Sequence, residues 1–207
     1  MTEQPYRIRL KARMLQIAER ILEEEGLAAL QARRVAKEAD CAVGTLYNIF
    51  NGLDGLILAA NSQTLHSFGR MAEAAMRRSR GGSVEDQLMA LALAYLDFAI
   101  AHRKRLIAVF DHQMVETEAE VPAPYRADQD RLFALIEAPL TQQLADASAR
   151  AMAARAMFAA VHGIVAMAID RKLGPFDAQA TERQVRFVVE AMARGLPITE
   201  RAKDRHA

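Results

Sequence analysis

Apolar residues recur at intervals of three and four along almost the whole chain, which is the spacing of one face of an α-helix. No segment alternates apolar and polar residues with the period of a β-strand. The first apolar stripe ends before Gly26, a residue type that commonly stops helices; the stripe contains Leu10, Met14, Ile17, Ala18, Ile21 and Leu22. The pattern therefore predicts an all-α fold of about nine helices.

Helix-breaking and helix-capping residues divide this pattern into elements. Ser83 followed by Asp86 is a variant of the capping box and starts a helix after the break "SRGGS", and Pro139 must kink or break another helix. After the first stripe, helices are predicted over about 32–39, 43–50, 53–80, 103–114, 149–172 and 177–195. One more helix begins after Ser83 and carries an apolar stripe up to Phe98, another resumes near Tyr125, and "VPAP" at 121–124 is a loop between them. These elements predict a three-helix domain at 1–52, a helical domain at 53–200 and a polar tail at 201–207.

Composition and charge limit the possible functions. Of the 207 residues, 52 % are hydrophobic and 26 % are charged, which is typical of a globular protein. The net charge is +1, so any binding of nucleic acid must depend on local charge. Cys41 is the one cysteine, and the longest charge-free apolar run has 14 residues, fewer than the roughly 20 that span a bilayer. We expect a cytoplasmic protein without a membrane partner.

The stretch "VAKEADCAVGTLYNIF", residues 35–50, has the pattern of a helix-turn-helix. Asp40 lies where the chain must reverse, a position that often needs the left-handed conformation, which Asp tolerates. The spacing predicts that Val43, Leu46 and Phe50 face inward, as do Val35, Ala36 and Ala39 on the preceding helix. The outward face of the second helix then carries uncharged residues, most of which have short side chains: Gly44, Thr45, Tyr47 and Asn48.

An outward face of this kind can enter the major groove of DNA. Hydroxyl and amide groups can reach phosphates or base edges, and Gly44 allows a close backbone approach. Residues 1–60 carry eight basic and eight acidic residues, but Glu23, Glu24 and Glu25 lie at the far end of the first helix, so the domain is expected to be polarised. The alternative is a plain three-helix bundle whose polar face is merely solvated.

The segment "GLAALQARRVAKEADCAVGTLYNIFNGLDGLI" resembles the TetR family of bacterial transcriptional repressors, with "GTLY" followed by Phe as the most specific match. The matching residues are Gly26, Arg33, Val35, Ala36, Ala39, Val43, Gly44, Thr45, Leu46, Tyr47, Phe50, Asp54 and Leu56. The resemblance implies that Arg33, Thr45 and Tyr47 contact DNA. We expect Val43 and Asn48 to read its sequence.

Four positions depart from the pattern of the TetR family. That family usually has Gly in place of Asp40, Ser or Thr in place of Ala42, an aromatic residue in place of Ile49 and Lys in place of Leu53. Ala42 removes an expected helix cap, and Leu53 removes an expected phosphate contact. Cys41 is either a redox sensor in the turn or a small apolar filler; the lack of a second cysteine favours the filler.

The C-terminal part has a composition that favours ligand binding over catalysis. Methionine and aromatic side chains on helices can line an apolar cavity, or they can simply fill a core. The resemblance implies a pocket for a small-molecule inducer, with candidate residues Phe68, Met71, Met89, Tyr95, Phe98, Phe110, His112, Phe158 and His162. No motif for a metal, a cofactor or a nucleophile accompanies these histidines, so we expect no enzyme, no metal and no cofactor.

The stretch "AAVHGIVAMAIDRKLG" resembles the "HG" helix of one branch of TetR-type C-terminal domains. Small residues on this helix and valines on the last helix predict a four-helix interface between two subunits, or burial within one subunit. The candidate interface residues are Ala156, Ala160, Gly163, Ala166, Val185, Val188, Val189 and Met192. We therefore predict a homodimeric regulator that a small-molecule inducer releases from a palindromic operator in double-stranded DNA; the alternative is a helical ligand-binding or dimeric adaptor with weakened DNA binding.

Overall fold

The computed structural model describes residues 3–112, 122–172 and 174–196. These residues form nine α-helices and no strand, which confirms the all-α prediction for the described part of the chain. The helices are α1 (Glu3–Glu24), α2 (Ala32–Glu38), α3 (Val43–Phe50), α4 (Leu53–Arg78), α5 (Val84–Ala101), α6 (Arg103–Asp111), α7 (Ala123–Leu140), α8 (Ala147–Ile169) and α9 (Ala178–Arg194), with a 3₁₀ turn at Leu27–Ala29. The predicted polar tail at 201–207 lies outside the described residues.

The chain divides into two compact units. The first unit contains the described residues up to Ser67 together with those of Ala101–Gln129; the second contains Phe68–Ile100 and the described residues from Asp130 onward. The division therefore falls inside α4, inside α7 and before the last residue of α5. The boundary predicted between residues 52 and 53 falls between α3 and α4, which is not where the two units divide. The assignment of residues 1–52 to a separate DNA-binding domain stays a prediction.

The core of the first unit is built from the apolar stripe of α1 and the inward faces of α2, α3 and α4. The stripe packs as predicted: Leu10, Met14, Ala18, Ile21 and Leu22 are buried, and Ile17 is partly buried. They meet Val35, Ala39, Leu46, Phe50, Leu56, Ile57, Ala60 and Ala108. Since a fully buried side chain of this kind contributes about 1.5–3 kcal/mol, this core holds α3 in place.

Polar groups are also buried in the first unit, where α4 meets α6. Asn61 is fully buried, and its Nδ2 donates a hydrogen bond to the carbonyl oxygen of Ala108 over 3.0 Å. Arg105 Nε donates to Thr64 Oγ1 over 3.1 Å. Buried polar groups need such partners, so these two bonds fix the register between α4 and α6.

The predicted helix ends have identifiable causes. After α1, the amides of Glu25 and Gly26 both donate to the carbonyl oxygen of Ile21, and Gly26 takes a φ of 91°, which is open to glycine without strain. Before α5, the Ser83 hydroxyl and the Asp86 carboxylate cap each other's backbone amides, which confirms the capping box. The hydrogen bonds from Ser83 lower the pKa of Asp86.

Pro139 ends a helix and does not kink one. α7 stops at Leu140, one residue after the proline, and α8 begins at Ala147 with Asp146 as its N-cap. Proline lacks an N–H for the helix ladder and its ring crowds the preceding turn, so a helix stops readily around it. A kinked helix with room beneath it, one of the two outcomes expected at Pro139, is therefore absent at this position.

Candidate nucleic-acid interface

The reversal between α2 and α3 depends on two residues of the sequence. Asp40 takes a φ of 58°, the left-handed conformation that the sequence predicts there. The amide of Cys41 then donates to the carbonyl oxygen of Ala36 over 3.0 Å, and Ala36 itself is 1 % exposed. A larger side chain than alanine would not fit at so closely packed a crossing. The two helices are thus held in a helix-turn-helix arrangement.

The side chains of α3 divide between an inner and an outer face. Leu46 is fully buried and Phe50 is 7 % exposed, so they anchor the helix to the core. On the outer face, Gly44 and Asn48 are exposed and the side chain of Tyr47 is 52 % exposed. Val43 and Thr45 are half-buried at the edges of this face. The structure thus places all five of these predicted DNA-binding residues on one short helix.

The two ends of α3 are held differently. At its N-terminus Ala42 makes no side-chain cap, so the amides of the first turn have no side-chain partner, as the sequence predicts. At its C-terminus Asn51 is left-handed, and its amide donates to the carbonyl oxygen of Tyr47 over 2.9 Å. A Cβ on Gly55 would lie 1.6 Å from the carbonyl oxygen of Phe50. The first turn of α4 is therefore packed directly against the end of α3.

The basic residues of α2 have different surroundings. Arg34 donates to the carboxylates of Glu25 and Glu38, over 2.5–3.1 Å, and these bonds lower the pKa of both acids. Arg20 also pairs with Glu38. Within the described part of the chain, Arg33 and Lys37 are exposed and form no salt bridge. Arg34 is thus committed to a structural cluster, while Arg33 keeps its charge available for a phosphate.

The beginning of α1 lies beside α3. Arg7 Nη2 donates to the carbonyl oxygen of Asn48 over 3.0 Å. The ammonium group of Lys11 lies 5.7 Å from the ring centroid of Phe50. Arginine and lysine side chains can bridge helices in this way, but the partner helix cannot be identified from sequence spacing. These contacts bring the basic start of α1 next to the recognition face.

The departures from the family pattern have structural consequences. Leu53 and Ile49 are half-buried and pack against the apolar core of the first unit. Leu53 therefore contributes to packing where a lysine would have reached outward. Cys41 is also half-buried against this core, and burial raises the pKa of its thiol. A raised pKa disfavours the reactive thiolate, which supports the filler interpretation of Cys41.

Five of the predicted pocket residues form a packed aromatic cluster in the second unit. Its ring centroids lie 5.5–6.1 Å apart, and Phe133 joins it; the predicted members are Phe68, Tyr95, Phe98, Phe158 and His162. Tyr95 Oη and His162 Nδ1 share a hydrogen bond of 2.7 Å. Burial raises the pKa of Tyr95 and lowers the pKa of His162, so both groups are neutral at pH 7. These side chains fill space and contact one another.

The other predicted pocket residues lie elsewhere. Met71 lines an open cleft of about 500 Å³ in the second unit, between α4 and α5, with Arg78 and Asp97 as its charged residues. Met89 is half-buried on α5. Phe110, 41 % exposed, and His112 belong to the first unit. The predicted set is thus distributed over a cluster, a cleft and a separate unit, and its role as one pocket stays a prediction.

The predicted dimer residues differ in exposure. Val185 and Val189 are buried within the chain, where α9 packs on α8, so they already have partners in their own subunit. Ala156 is exposed, and five are half-buried: Ala160, Gly163, Ala166, Val188 and Met192. Three large apolar side chains that the sequence did not single out are more exposed: Met152 at 67 %, Met167 at 46 % and Phe187 at 75 %.

Of these three side chains, Met152 and Met167 lie on α8 and Phe187 lies on α9. By length and composition alone, α8 is the single helix in the described ranges that could cross a membrane, and 33 % of its most apolar stretch is buried. The 14-residue charge-free run of the sequence analysis begins after Arg155, so it left out Met152 and the alanines before it. These residues extend the apolar stretch of α8. Of the 23 residues of this helix, seven are exposed, eleven are half-buried and five are buried.

Two family models match the chain. The model for bacterial regulatory proteins of the tetR family matches residues 14–60, and the model for the tetracyclin repressor-like C-terminal domain matches residues 88–192. Together they cover both the helix-turn-helix and most of the helices that follow α4. No curated protein matches the sequence.

Solved structures with the same fold are numerous. A protein of unknown function from Rhodococcus sp. RHA1 is 23 % identical, with a TM-score of 0.71, over 90 % of this chain and 95 % of its own. A TetR transcriptional regulator from Rhodococcus sp. RHA1 is 19 % identical, with a TM-score of 0.67, over 89 % and 96 %. The multidrug binding protein EbrR complexed with imidazole is 22 % identical, with a TM-score of 0.61, over 93 % and 98 %. At these identities the likeness establishes the fold.

Proposed function

Since the chain belongs to the TetR family of bacterial regulatory proteins and is thus a DNA-binding transcriptional regulator, we propose that it acts as a homodimeric, cytoplasmic repressor that a small-molecule inducer releases from a palindromic operator. The observation that carries the DNA contact is the outer face of α3. It presents Gly44, Tyr47 and Asn48 to solvent on a helix that Leu46 and Phe50 fix to the core.

The proposed contacts have distinct chemical roles. The Tyr47 and Thr45 hydroxyls donate to phosphates or base edges, and Arg33 pairs with a phosphate. Asn48 can bind adenine with two hydrogen bonds, and Val43 can pack on a thymine methyl group. The uncapped amides at the start of α3 offer a further site for a phosphate oxygen.

The exposed apolar surface of α8 and α9 supports the homodimer. Phe187, Met152 and Met167 are large apolar side chains that are exposed to water in one chain. Two copies of α8 and α9 packed as a four-helix bundle would bury this surface. Because Val185 and Val189 are buried in their own subunit, the proposed contact centres on Phe187, Met152 and Ala156, with the half-buried small residues around them. Such a two-fold dimer suits a palindromic operator.

The inducer response is proposed as a shift between two conformations. α4 is one continuous helix from Leu53, beside α3, to Arg78, at the cleft of the second unit. A ligand that binds the non-DNA conformation better by about 3 kcal/mol would lower operator affinity about a hundredfold. EbrR, which shares the fold, is a multidrug binding protein, and this supports a small organic inducer. The candidate sites are the cleft at Met71 and the surroundings of the Tyr95–His162 pair.

A gel-shift titration with the DNA upstream of the protein's own gene tests the operator contact. Thr45→Val and Tyr47→Phe each remove one hydroxyl from α3, and we expect each to weaken specific binding by about tenfold, since one lost hydrogen bond to DNA costs about 1–3 kcal/mol. Thr141→Val, an exposed threonine of the second unit, is the matched control and should bind like wild type. Equal affinity of all four proteins would refute the assigned contacts.

The alternative is a helical ligand-binding or dimeric adaptor with weakened DNA binding. Two observations favour it: Ala42 leaves α3 without a side-chain cap, and Leu53 packs inward where the family usually has lysine. The same gel-shift titration at about 50–200 mM salt, where phosphate contacts dominate affinity, tests this alternative. If no specific gel shift occurs, the adaptor is supported over the repressor.

A further inference from the structure

The open cleft between α4 and α5 in the second unit has a mostly apolar wall. Its uncharged lining residues are Met71, Ala74, Ala75, Ser79, Ala90, Leu93 and Ala94. The Ser79 hydroxyl is already engaged, since it donates to the carbonyl oxygen of Ala75 over 3.1 Å. A molecule in the middle of this cleft would therefore contact apolar groups.

The two charged lining residues lie at opposite ends of the cleft. α4 ends at Arg78 and α5 begins at Val84, and two helices joined by so short a loop run antiparallel. Arg78 is therefore at the end of the cleft next to the loop. Asp97, which α5 reaches seven residues after Ala90, is at the other end. Seven residues of helix rise about 10 Å, so the two charges are separated by about the length of the cleft.

Both of these charged side chains are available to a ligand. Arg78 and Asp97 are exposed, and neither forms a salt bridge with any residue that the structure describes. The neighbouring Arg77, in contrast, has its guanidinium 4.0 Å from the carboxylate of Glu73. A complementary occupant thus carries an anionic group near Arg78 and a cationic group near Asp97.

The Tyr95–His162 pair, the other candidate inducer site, offers less room. Its two polar atoms bond to each other over 2.7 Å. The rings of Phe68 and Phe158 pack on Tyr95, with centroids 5.5 and 5.7 Å away. A ligand at that pair would have to displace packed rings. The cleft, at about 500 Å³, already has the volume of a small-molecule site.

We propose that the inducer binds in this cleft and is an elongated molecule with one charge of each sign. Its anionic group pairs with Arg78, its cationic group pairs with Asp97, and an apolar chain of about 10 Å lies between them. A partner helix, about 10 Å in diameter, would need more than the volume of the cleft over the same length. The proposal rests on the proposed function, because it names the ligand class for the same inducer response.

Isothermal titration calorimetry with three probes of equal chain length tests the two charge contacts. The probes are ω-aminooctanoic acid, which when extended is about as long as the cleft, octanoic acid and octylamine. Wild type should bind the ω-amino acid about fivefold more tightly than either singly charged probe, the upper range for a partly exposed ion pair. Arg78→Glu and Asp97→Lys should each abolish this preference. The double variant should keep it, because the ligand can bind in the reverse direction.

A variant that fills the cleft and two charge controls complete the comparison. Ala90→Phe should weaken binding of all three probes by at least about tenfold, since the new ring occupies the space of the apolar chain. Arg77→Gln and Asp130→Asn remove exposed charges outside the cleft and should bind the probes like wild type. Equal thermal midpoints should confirm that the charge variants fold, because every charge that they change is exposed.

The outcomes separate this site from the proposed function. If wild type binds the three probes equally or not at all, or if both single charge variants keep the preference, the cleft assignment is wrong, while operator binding by the unliganded protein still supports the repressor. If the ω-amino acid binds with the expected preference but leaves the gel shift of wild type unchanged, the inducer role is overturned. If no upstream DNA is bound specifically, the proposed function fails, and the three probes still decide which ligand class the cleft accepts.

Discussion

Gly44, in the first turn of α3, and Gly55, in the first turn of α4, have opposite surroundings. Around Gly44 an added Cβ would meet no atom within 4 Å, whereas at Gly55 it would lie 1.6 Å from the carbonyl oxygen of Phe50. The fold therefore has room for a side chain at position 44. Its smallness is explained if another molecule approaches its backbone, as the proposed DNA contact requires.

Gly44→Ala should therefore raise the stability of the protein and lower its affinity for DNA. Alanine in place of a helical glycine reduces the freedom of the unfolded chain, so the free energy of unfolding should rise by about 0.5–1 kcal/mol. Operator affinity should fall, by about tenfold, because the new methyl group lies where the duplex approaches. Urea unfolding followed by circular dichroism and a gel-shift titration measure the two effects.

Gly55→Ala is the matched control for this substitution. Its Cβ would collide with main chain that cannot move without displacing the end of α3, so we expect a loss of more than 2 kcal/mol in unfolding free energy. A Gly44→Ala protein that binds the operator like wild type would show that the backbone of α3 does not approach DNA at this point.

At the scale of the helix, α3 lacks a stabilising feature that other helices of the chain have. The carboxylate of Asp146 accepts a hydrogen bond from the amide of Ala149 at the start of α8, over 2.7 Å. Asp177 accepts one from Ala180 at the start of α9, over 3.0 Å. Ala42 offers no such acceptor at the start of α3. The N-terminal end of α3 is therefore less well stabilised than the N-terminal ends of α8 and α9.

Ala42→Ser should supply the missing cap. A serine hydroxyl can accept from an amide of the first turn, and such caps contribute about 1 kcal/mol. We expect the midpoint of urea unfolding to rise for Ala42→Ser and to stay at or below wild type for Ala42→Val, whose side chain cannot accept a hydrogen bond. An unchanged midpoint for Ala42→Ser would mean that the first turn of α3 is already satisfied by solvent.

The helices were predictable because most of them bury a stripe of apolar residues, and the stripe is visible in the sequence. The first two turns of α1 lie outside the apolar stripe, since residues 4–9 are exposed and leave no periodic signal. Arg34 pairs with Glu38 at the i, i+4 spacing of a helix, which the sequence shows, whereas its pairing with Glu25 depends on a tertiary contact that spacing does not encode. Periodicity also cannot distinguish a side chain that lines a cavity from one that fills a core, which is why Tyr95 and Phe158 entered the pocket hypothesis.

At the scale of the whole molecule, the proposed homodimer depends on the surface of α8 and α9. Val185 was predicted at the subunit interface because a valine stripe looks the same whether its own chain or a partner covers it. The structure shows that it is buried within the chain, and it leaves Phe187 exposed at 75 %. The apolar side chain that α9 leaves open to a partner is therefore Phe187, which the sequence did not single out, and not Val185.

Phe187→Glu should consequently dissociate the dimer. A charged carboxylate in the centre of an apolar contact loses its hydration without a partner, at a cost of several kcal/mol per interface. Sedimentation velocity should show a dimer for wild type and a monomer for Phe187→Glu at the same concentration. Ile100→Glu, at 43 % exposure on α5, is the control and should remain dimeric. A dimeric Phe187→Glu protein would place the contact elsewhere.

Stability of the whole chain should depend on pH through two histidines. Burial lowers the pKa of both His112 and His162 below the ordinary value of 6.5. The unfolded chain therefore binds more protons than the folded chain as the pH falls through 6.5, so the free energy of unfolding should decrease from pH 7.5 to pH 5.5. Above pH 7.5 the imidazoles are neutral in both states, and they contribute no further slope.

His112→Gln should flatten this dependence, because its side chain cannot take up a proton. Thermal midpoints of wild type and His112→Gln at pH 7.5, 6.5 and 5.5 provide the comparison. The difference between the two proteins should be smaller at pH 5.5 than at pH 7.5, or should reverse in favour of the variant. Parallel curves would show that His112 is protonated equally in both states.

The apolar surface of α8 also bears on how the protein survives in a cell. In the proposed homodimer, a newly made subunit exposes Met152 and Met167 on α8 and Phe187 on α9 before it pairs. Until a second subunit arrives, this surface is open to chaperones, proteases and aggregation. Assembly depends on concentration, so a cell that makes few copies loses a larger share of them before they pair. The abundance of active regulator would then rise more steeply than the rate of its synthesis.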